Sequence, residues 1–359
     1  MEKLGLLAIP LMAISLLASC AKGNDSMQTT VTFSKESVGC ALWYNDVSYA
    51  KGARFKIPAG VDVTLTVEAN QDYLPVFKDG LTISEAMTYN FNPNKKEITV
   101  KVASNGKCVI KAIAETPKEN LEAYKWSEIS QLSEMGLADD LFKVGDIKKV
   151  TVNEKDHDVR IIGFNHDALK SDKTKTAGIT FEFANVITKS NGDADTTYWN
   201  NESASTNYKY SKSTLNDYLN KDSNCIFNKL PDELKADGII KEVYKPVAEG
   251  SSYEINETYT TKLFPLSYRE ITASGDTEFV KDEGFTYPFY TGEDYDTDDN
   301  RIKKEVGSEV NDFGESYWLR SPAIGENLSS DAWYVGYGGG LSPGGIYVLL
   351  YMVAPAFCI

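Results

Sequence analysis

Histidine is the scarcest of the catalytically useful residues in this sequence of 359 residues. His157 and His166 are the only two, so a histidine-rich zinc site or a Ser/His/Asp triad has few residues to draw on. The five cysteines include no C-x-x-C pair, which leaves a thioredoxin-like activity without support. This composition argues against the common classes of hydrolase.

The sequence also has fewer positively than negatively charged residues, and it has few long apolar runs. Lys and Arg number 37 against 52 Asp and Glu, giving a net charge of -15, and such a field repels nucleic-acid phosphates. No stretch after the first 19 residues approaches the roughly 18 apolar residues of a membrane-spanning helix. Charged residues make up 25% and hydrophobic residues 42% of the chain, as in folded globular proteins, and the length allows about two domains.

The N-terminus has the pattern of a signal peptide over residues 1–19. Lys3 precedes an apolar run from Leu4 to Leu17, which is followed by Ala18, Ser19 and Cys20. This end resembles a bacterial lipobox, which implies cleavage before Cys20 and attachment of lipid to it. The alternative is an ordinary secretory signal followed by an incidental cysteine. We favour lipidation.

Residues 20–30 are small and polar, so we expect a flexible tether. Asp25 is the one acidic residue there, whereas surface-export tags of gut Bacteroidetes lipoproteins carry more of them. We therefore expect a lipid-anchored protein of the cell envelope, with the outer membrane and surface exposure favoured and the membrane face left open.

Four cysteines remain after cleavage: Cys40, Cys108, Cys225 and Cys358. In an oxidising compartment they allow three pairings. Cys40 and Cys108 lie in one β-rich segment, and we predict a disulfide between them. For Cys225 and Cys358, buried thiols are an equally good interpretation.

Residues 31–115 alternate between apolar and polar positions and are separated by turn residues, so we predict an all-β domain. A small β-sandwich or β-grasp spacer fits best. Residues 59–80 loosely resemble one internalin-type repeat and also the Ig-like modules of cell-surface proteins.

Residues 116–359 are predicted to form an α+β domain. Helices are expected around Trp126, ending at Gly136, and after a cap at Ser213. A hairpin is expected with its turn at 153–158. Strands are expected at 179–183, 239–247, 262–271, 333–337, 346–352 and the C-terminus.

Residues from about 126 to 359 resemble the domain-of-unknown-function family 6273. The resemblance rests on seven segments in family order: 142–146, 161–167, 179–181, 230–231, 263–271, 317–322 and 353–357. Ala354 replaces the usual Arg of the last one. Residues 317–322 (YWLRSP) near the C-terminal strand also resemble the C-type-lectin-like fold, including formylglycine-generating enzymes. This implies a fold and not an activity.

His166 and Asp167 are the candidate general base and its orienting carboxylate. Because neighbours in an extended chain point to opposite sides, this contact requires a turn. The alternative, which we favour, is a strand-end cap. His157 is expected to be solvated in the hairpin turn. Cys225 and Cys358 have no flanking pattern that recommends them as a catalytic pair.

Arg320 and a group of aromatic residues are candidates for ligand binding. Arg320 is either a ligand anchor that stacks on Trp318 or, as we favour, a buried tie between strands. Trp333, Tyr334 and Tyr337, with Trp199, are candidates for stacking against sugar rings or peptide side chains. Ordinary core packing of these aromatics is equally consistent with the sequence.

Residues 294–305 resemble a calcium-binding loop in the spacing of their acidic residues. Asp294, Asp296, Asp298 and Glu305 fall at the positions that an EF-hand loop fills with carboxylates. Asp299 stands where the loop needs glycine, and Arg301 where it needs an apolar residue. A solvated acidic loop is therefore the default, and no cofactor is required.

Two classes of function follow. The favoured class is a non-catalytic envelope protein that binds glycan or protein through its C-terminal domain. The alternative is an envelope enzyme, a hydrolase or protein-modifying oxidase, centred on His166. A subunit of a surface fibre is a third possibility, which would require an exchanged strand.

Overall fold

A computed structural model describes residues 27–189, 191, 195–201, 209–248, 255–272, 283–291, 298–307, 314–323 and 330–359. The predicted signal peptide and Cys20 lie outside these ranges. Within them, helices are short, and none combines the length and apolar character needed to cross a membrane.

The first part of the chain forms two packed β-sheets. Val63, Leu65 and Val67 alternate inward along one strand and enter a buried cluster that extends from Val31 to Ala114. The sheets have the strand orders β4-β1-β9-β6 and β3-β2-β5-β8-β7. Their strands are β1 (Gln28–Phe33), β2 (Cys40–Tyr44), β3 (Val47–Tyr49), β4 (Arg54–Pro58), β5 (Asp62–Ala69), β6 (Leu81–Ser84), β7 (Thr88–Asn92), β8 (Glu97–Lys101) and β9 (Lys107–Ala112). The arrangement is a β-sandwich.

The predicted disulfide between Cys40 and Cys108 is not formed, and both residues are buried free thiols. Cys40 lies opposite the far end of β9, where its Sγ is 3.4 Å from the carbonyl oxygen of Ala112. Cys108 is four positions away, or about 13 Å along a strand, whereas bridged cysteines have Cα atoms about 4.4–6.8 Å apart. Burial raises the pKa of each thiol to about 11.

The remainder of the chain is mainly β-structure with a few short helices. Its sheets have the orders β10-β11-β12-β19-β15, β13-β14 and β16-β17-β18. The strands are β10 (Ile147–Val152), β11 (Lys155–Phe164), β12 (Ile179–Phe183), β13 (Val243–Ala248), β14 (Ile255–Thr261), β15 (Leu263–Phe264), β16 (Tyr317–Ala323), β17 (Asp331–Val335), β18 (Leu341–Gly345) and β19 (Ala356–Cys358). The helices are α1 (Trp126–Glu134), α2 (Ala138–Leu141), α3 (Thr214–Asn220), α4 (Ile226–Lys229) and α5 (Asp232–Lys235).

Strand β12 is the centre of this second unit. All five of its residues are buried, and it pairs with β11 on one side and with the C-terminal strand β19 on the other. The hydroxyl of Ser133 on α1 donates to the carbonyl oxygen of Ile359 at 2.6 Å. Sequence-distant segments therefore meet at this sheet, and the charged residues described below lie beside it.

Several predicted elements are confirmed. Strand β12 has the predicted bounds, and Gly136, with φ of +68°, follows the end of α1. Ser213 caps α3, since its Oγ accepts a hydrogen bond from the backbone N–H of Asn216 at 3.1 Å.

The predicted turn of the β10–β11 hairpin is wrong, and with it the solvated position of His157. Asn153 and Glu154 both adopt positive φ, 53° and 63°, and form a two-residue turn of the kind that suits the twist of a hairpin. Residues 155–158 therefore continue the strand. His157 faces Val150 across the ladder and is completely buried against Phe183.

The predicted strand at 346–352 is also wrong. Residues 341–345 form β18 and pair with β17. The following segment turns back, with the N–H of Val348 donating to the carbonyl of Gly345 at 3.1 Å.

The two parts of the chain are in direct contact. Leu74 and Phe77 of the sandwich are buried in the hydrophobic cluster of the second unit. Next to them, the backbone N–H of Lys78 donates to Gln131 Oε1 at 3.1 Å. The sandwich is therefore packed against the second unit.

Candidate functional site

A pocket of about 300 Å³ opens beside the end of β11. Asn165, with φ of +52°, reverses the chain directly after the strand, so His166 and Asp167 both face the pocket. The required turn therefore exists. The lining residues are His166, Asp167, Ala168, Tyr244, Lys245, Pro246, Glu270, Gly284 and Phe285.

The floor of this pocket is a buried ion-pair network around Lys245. Its Nζ contacts the Asp167 carboxylate and lies 3.1 Å from Glu270 Oε1 and 2.8 Å from the Tyr287 hydroxyl. The same Nζ lies 3.8 Å from the centre of the Phe264 ring. All three hydrogen-bonding positions of the ammonium are thus occupied by protein groups.

Asp167 is surrounded by donors. Its Oδ2 accepts from Thr180 Oγ1 at 2.6 Å, from the Tyr287 hydroxyl at 2.8 Å and from Cys358 Sγ at 3.3 Å. Burial opposes the ionised form, but Lys245 and His166 outweigh it and hold the pKa of the Asp167 carboxyl well below its ordinary value. Burial, reinforced by the Asp167 charge, raises the pKa of the Cys358 thiol well above its ordinary range. Cys358 is therefore not a thiolate nucleophile.

Arg320 is a structural residue and not a surface ligand anchor. It is 1% exposed, and both of its terminal nitrogens contact the carboxylate of Glu270, one of them at 2.8 Å. It also donates to the carbonyl oxygens of Pro265 at 3.2 Å and Glu283 at 2.6 Å. The favoured interpretation of Arg320 is thereby confirmed, and its tentative role as a ligand-binding residue is corrected.

His166 does not have the contacts of a general base. Its ring stacks on Tyr287 with centroids 4.0 Å apart, and Nδ1 lies 3.5 Å from Asp167 Oδ1. Within the described part of the chain, neither ring nitrogen has a hydrogen-bond partner, and both are covered. The 3.5 Å contact is an electrostatic one, because it is too long for a good hydrogen bond.

A second buried network ties β11 and β12 to residues near 303. Glu182 accepts from Arg160 Nε at 2.9 Å, from Lys303 Nζ at 2.8 Å and from the Tyr290 hydroxyl at 2.7 Å. Its donors come from three segments distant in sequence. The sequence signal for this network is Glu182, a charged residue inside the buried strand Ile179–Phe183.

The predicted aromatic residues lie at different depths. Trp199 is completely buried, and its Nε1 donates to the carbonyl of Leu319 at 2.8 Å, so it is a core residue and cannot bind a surface ligand. Trp333 is half-buried against Tyr268, with ring centroids 4.6 Å apart. Tyr337 is 60% exposed at the tip of the β17–β18 hairpin.

Tyr334 belongs to a half-buried aromatic stack. Its ring lies 4.1 Å from that of Tyr351 at an interplanar angle of 16°. The buried ring of Trp318 packs edge-on against Tyr351, with the ring centroids 4.5 Å apart, and supports the pair. The stack therefore has a fixed orientation.

An exposed apolar turn follows β18 and leads directly to Tyr351. Tyr347, Leu349 and Leu350 are 56%, 48% and 69% exposed, and we call these three residues the apolar turn. This turn was not predicted from the sequence, because residues 346–352 were expected to form a strand. The glycine pair at 344–345 was the available signal of a chain reversal.

The predicted calcium loop lies largely outside the described residues. Asp294 and Asp296 are not described, nor is the side chain of Asp298, which begins a short 3₁₀ helix at Asp298–Arg301. Glu305 is half-buried. The described ranges contain no cluster of three potential metal-ligating side chains, and the calcium site stays a prediction.

Residues 184–359 match the family described as Domain of unknown function (DUF6273). The match supports the predicted family assignment for this part of the chain. Comparisons with curated proteins and with solved structures gave no match.

Proposed function

We propose that this protein is a lipid-anchored component of the bacterial cell envelope that binds a protein partner without chemically changing it. In this proposal the N-terminal sandwich holds the second unit away from the membrane. The apolar turn and the adjoining Tyr334–Tyr351 stack form the contact surface.

The exposure of the apolar turn is the main support for a binding role. Two leucines and a tyrosine exposed within four consecutive positions are unusual on a surface with no partner, because exposed apolar groups are normally scattered. Tyrosine and aliphatic groups packed around a rigid aromatic support are typical of the centre of a protein interface. Leucine side chains favour a protein over a glycan, since sugars stack on aromatic faces.

Charge supports the choice of partner. The net charge of -15 would steer association toward a protein whose apolar patch has a basic rim, and this effect would weaken with added salt.

The chemistry of the His166 pocket supports binding over catalysis. Lys245, Asp167 and Glu270 direct their polar atoms at one another and at buried neighbours. The ring nitrogens of His166 are covered. A substrate in the pocket would meet no free nucleophile with an adjacent base.

The C-type-lectin-like fold remains part of this proposal. The three-stranded β16-β17-β18 sheet, the loops around it and the C-terminal strand would correspond to the ligand-binding side of such a fold.

The direct experiment is an array of envelope proteins, host-matrix proteins and glycans, probed with the chain from residue 25 onward. We expect saturable binding to protein features, unchanged by a calcium chelator. Binding to glycans alone would contradict a protein partner, and chelator-sensitive binding would assign the contact to residues 294–305. An array without any signal would contradict the binding proposal for the partner classes displayed.

A further inference from the structure

The contact between Lys245 and Asp167 has the arrangement of two groups that can react. They are 78 positions apart in the sequence, and both side chains are buried, with 1% and 4% exposure. The rings of Phe264 and Tyr287 flank the Lys245 ammonium at 3.8 and 5.3 Å. Transfer of a proton from Lys245 Nζ to the Asp167 carboxylate along this contact gives the neutral amine and the neutral acid, and a neutral lysine is a nucleophile.

The carboxyl group of Asp167 is held for attack by the amine. Its Oδ1 contacts Lys245, and its Oδ2 accepts from Thr180, Tyr287 and Cys358 at 2.6, 2.8 and 3.3 Å. If Nζ adds to Cγ, negative charge develops on Oδ2, where these three donors already point. This is the geometry of an oxyanion hole.

Two further groups can move the protons. Glu270 Oε1 lies 3.1 Å from Lys245 Nζ and can accept a proton from it. The Tyr287 hydroxyl lies 2.8 Å from Lys245 Nζ and 3.0 Å from Asp167 Oδ1, so it can pass a proton from the amine to the leaving oxygen. The pocket opens beside Asp167, so a released water molecule has a way out.

We propose that the folded protein joins Lys245 to Asp167 through an intramolecular amide bond. The bond between Nζ and Cγ forms, and the bond between Cγ and Oδ1 breaks. The two protons that Nζ loses from its ammonium form end on Oδ1, which leaves as water. The reaction requires no oxidant, reductant or other co-reactant.

Another buried lysine of the domain, Lys303, provides an internal comparison. Lys303 Nζ also contacts a carboxylate, that of Glu182 at 2.8 Å. Arg160 binds the same carboxylate through Nε and Nη2, and because an arginine does not give up its proton, it keeps Glu182 ionised and a poor electrophile. Within the described residues the other partner of Lys303 Nζ is a carbonyl oxygen, that of Phe183, and no second carboxylate can take its proton. We expect no cross-link at this pair.

The test is peptide mapping of the purified full chain by mass spectrometry. Trypsin releases Asp167 in peptide 161–170 and Lys245 in peptide 242–262, since the Lys245–Pro246 bond resists cleavage. We expect one joined species, lighter than the sum of the two peptides by one water molecule. Recovery of both peptides only as separate species overturns the proposal.

Variants identify the reacting groups. Lys303→Met should leave the joined species intact, whereas Lys245→Met should abolish it. Asp167→Asn should give a joined species of the same mass, because ammonia then leaves in place of water. Tyr287→Phe removes one donor to Oδ2 and keeps the ring, so a fraction of separate peptides should appear. A joined species that persists in Lys245→Met overturns the assignment of the nucleophile.

Discussion

The buried charges of the second unit stabilise the protein through specific partners, and Arg320 is the clearest example. Its guanidinium is enclosed and binds the Glu270 carboxylate together with two backbone carbonyls. Burial opposes the charged form, but the Glu270 carboxylate outweighs it and raises the pKa of Arg320 above its ordinary value. Each of these groups depends on the others for its hydrogen bonds.

Replacing Arg320 with Met should therefore lower the free energy of unfolding by about 3–5 kcal/mol, because the Glu270 carboxylate loses its partner in a buried site. Chemical denaturation measures this loss. Arg269→Met is the matched control, since Arg269 Nη1 makes a long contact, 3.5 Å to the carbonyl of Thr272, and we expect a loss of less than about 1 kcal/mol. Equal losses in the two variants would contradict the structural role of Arg320.

Lys303 should make stability depend on pH in the alkaline range. Burial lowers its pKa to about 8 although Glu182 opposes the shift, whereas an unfolded lysine titrates near about 10.4. Between these values the unfolded chain binds more protons than the folded chain. The unfolding free energy should therefore rise with pH there, by about 1.4 kcal/mol per unit from this group.

Denaturation of the wild type and of Lys303→Met at pH 7, 8, 9 and 10 isolates this contribution. The difference between the two proteins should change in favour of the wild type as the pH rises from 8 to 10. A difference that stays constant across this range would show that Lys303 keeps its proton.

Two features of the His166 pocket could not be predicted from the sequence. The sequence indicates that a contact between His166 and Asp167 requires a turn. It does not indicate that Asn165 supplies this turn, because the left-handed conformation is one of several open to asparagine. The partners of Asp167 come from β12, β13, β19 and residue 287, and no local pattern indicates that these segments meet.

At the level of elements, the β10–β11 hairpin shows how a single turn decides the burial of its neighbours. Asn153 favours the left-handed conformation, but Glu154 has the same conformation at a cost. This turn places His157 opposite Val150 and inside the core.

Glu154→Gly should therefore stabilise the protein, by about 1 kcal/mol, since glycine adopts this conformation without the steric penalty of a side chain. Lys155→Gly is the control at the next position, which lies in the strand, and it should destabilise by a similar amount. Thermal unfolding of both variants gives the signs. Destabilisation by Glu154→Gly would contradict the observed turn.

The elements that the sequence predicted correctly have strong periodic patterns and explicit end signals. Strand β12, helix α1 with Gly136 and helix α3 with Ser213 are examples. The late β-strands were misplaced because residues 341–345 are rich in glycine and include a proline, a composition typical of loops. Pairing with β17 overrides that local preference.

At the scale of the whole molecule, the packing of Leu74 and Phe77 into the second unit gives the sandwich a fixed contact with that unit. A spacer attached in this way would fix the position of the apolar turn relative to the end of the sandwich that carries the membrane anchor. A freely jointed spacer would not do so.

The predicted anchor at Cys20 can be tested by replacement with Ala. The wild type should fractionate with membranes and be labelled by a fatty-acid analogue, and the variant should be found in the soluble fraction without label. Unchanged membrane fractionation of Cys20→Ala would contradict the lipid anchor.

Binding through the apolar turn can be tested by comparing three proteins on the partner array. The proteins are the wild type, the double variant Leu349→Ser/Leu350→Ser, and the control Met87→Ser, which changes an exposed apolar residue of the sandwich. We expect the double variant to lose at least about tenfold in affinity, the equivalent of about 1.4 kcal/mol, and the control to bind like the wild type. Equal binding by all three proteins would contradict the assignment of the contact surface to the apolar turn.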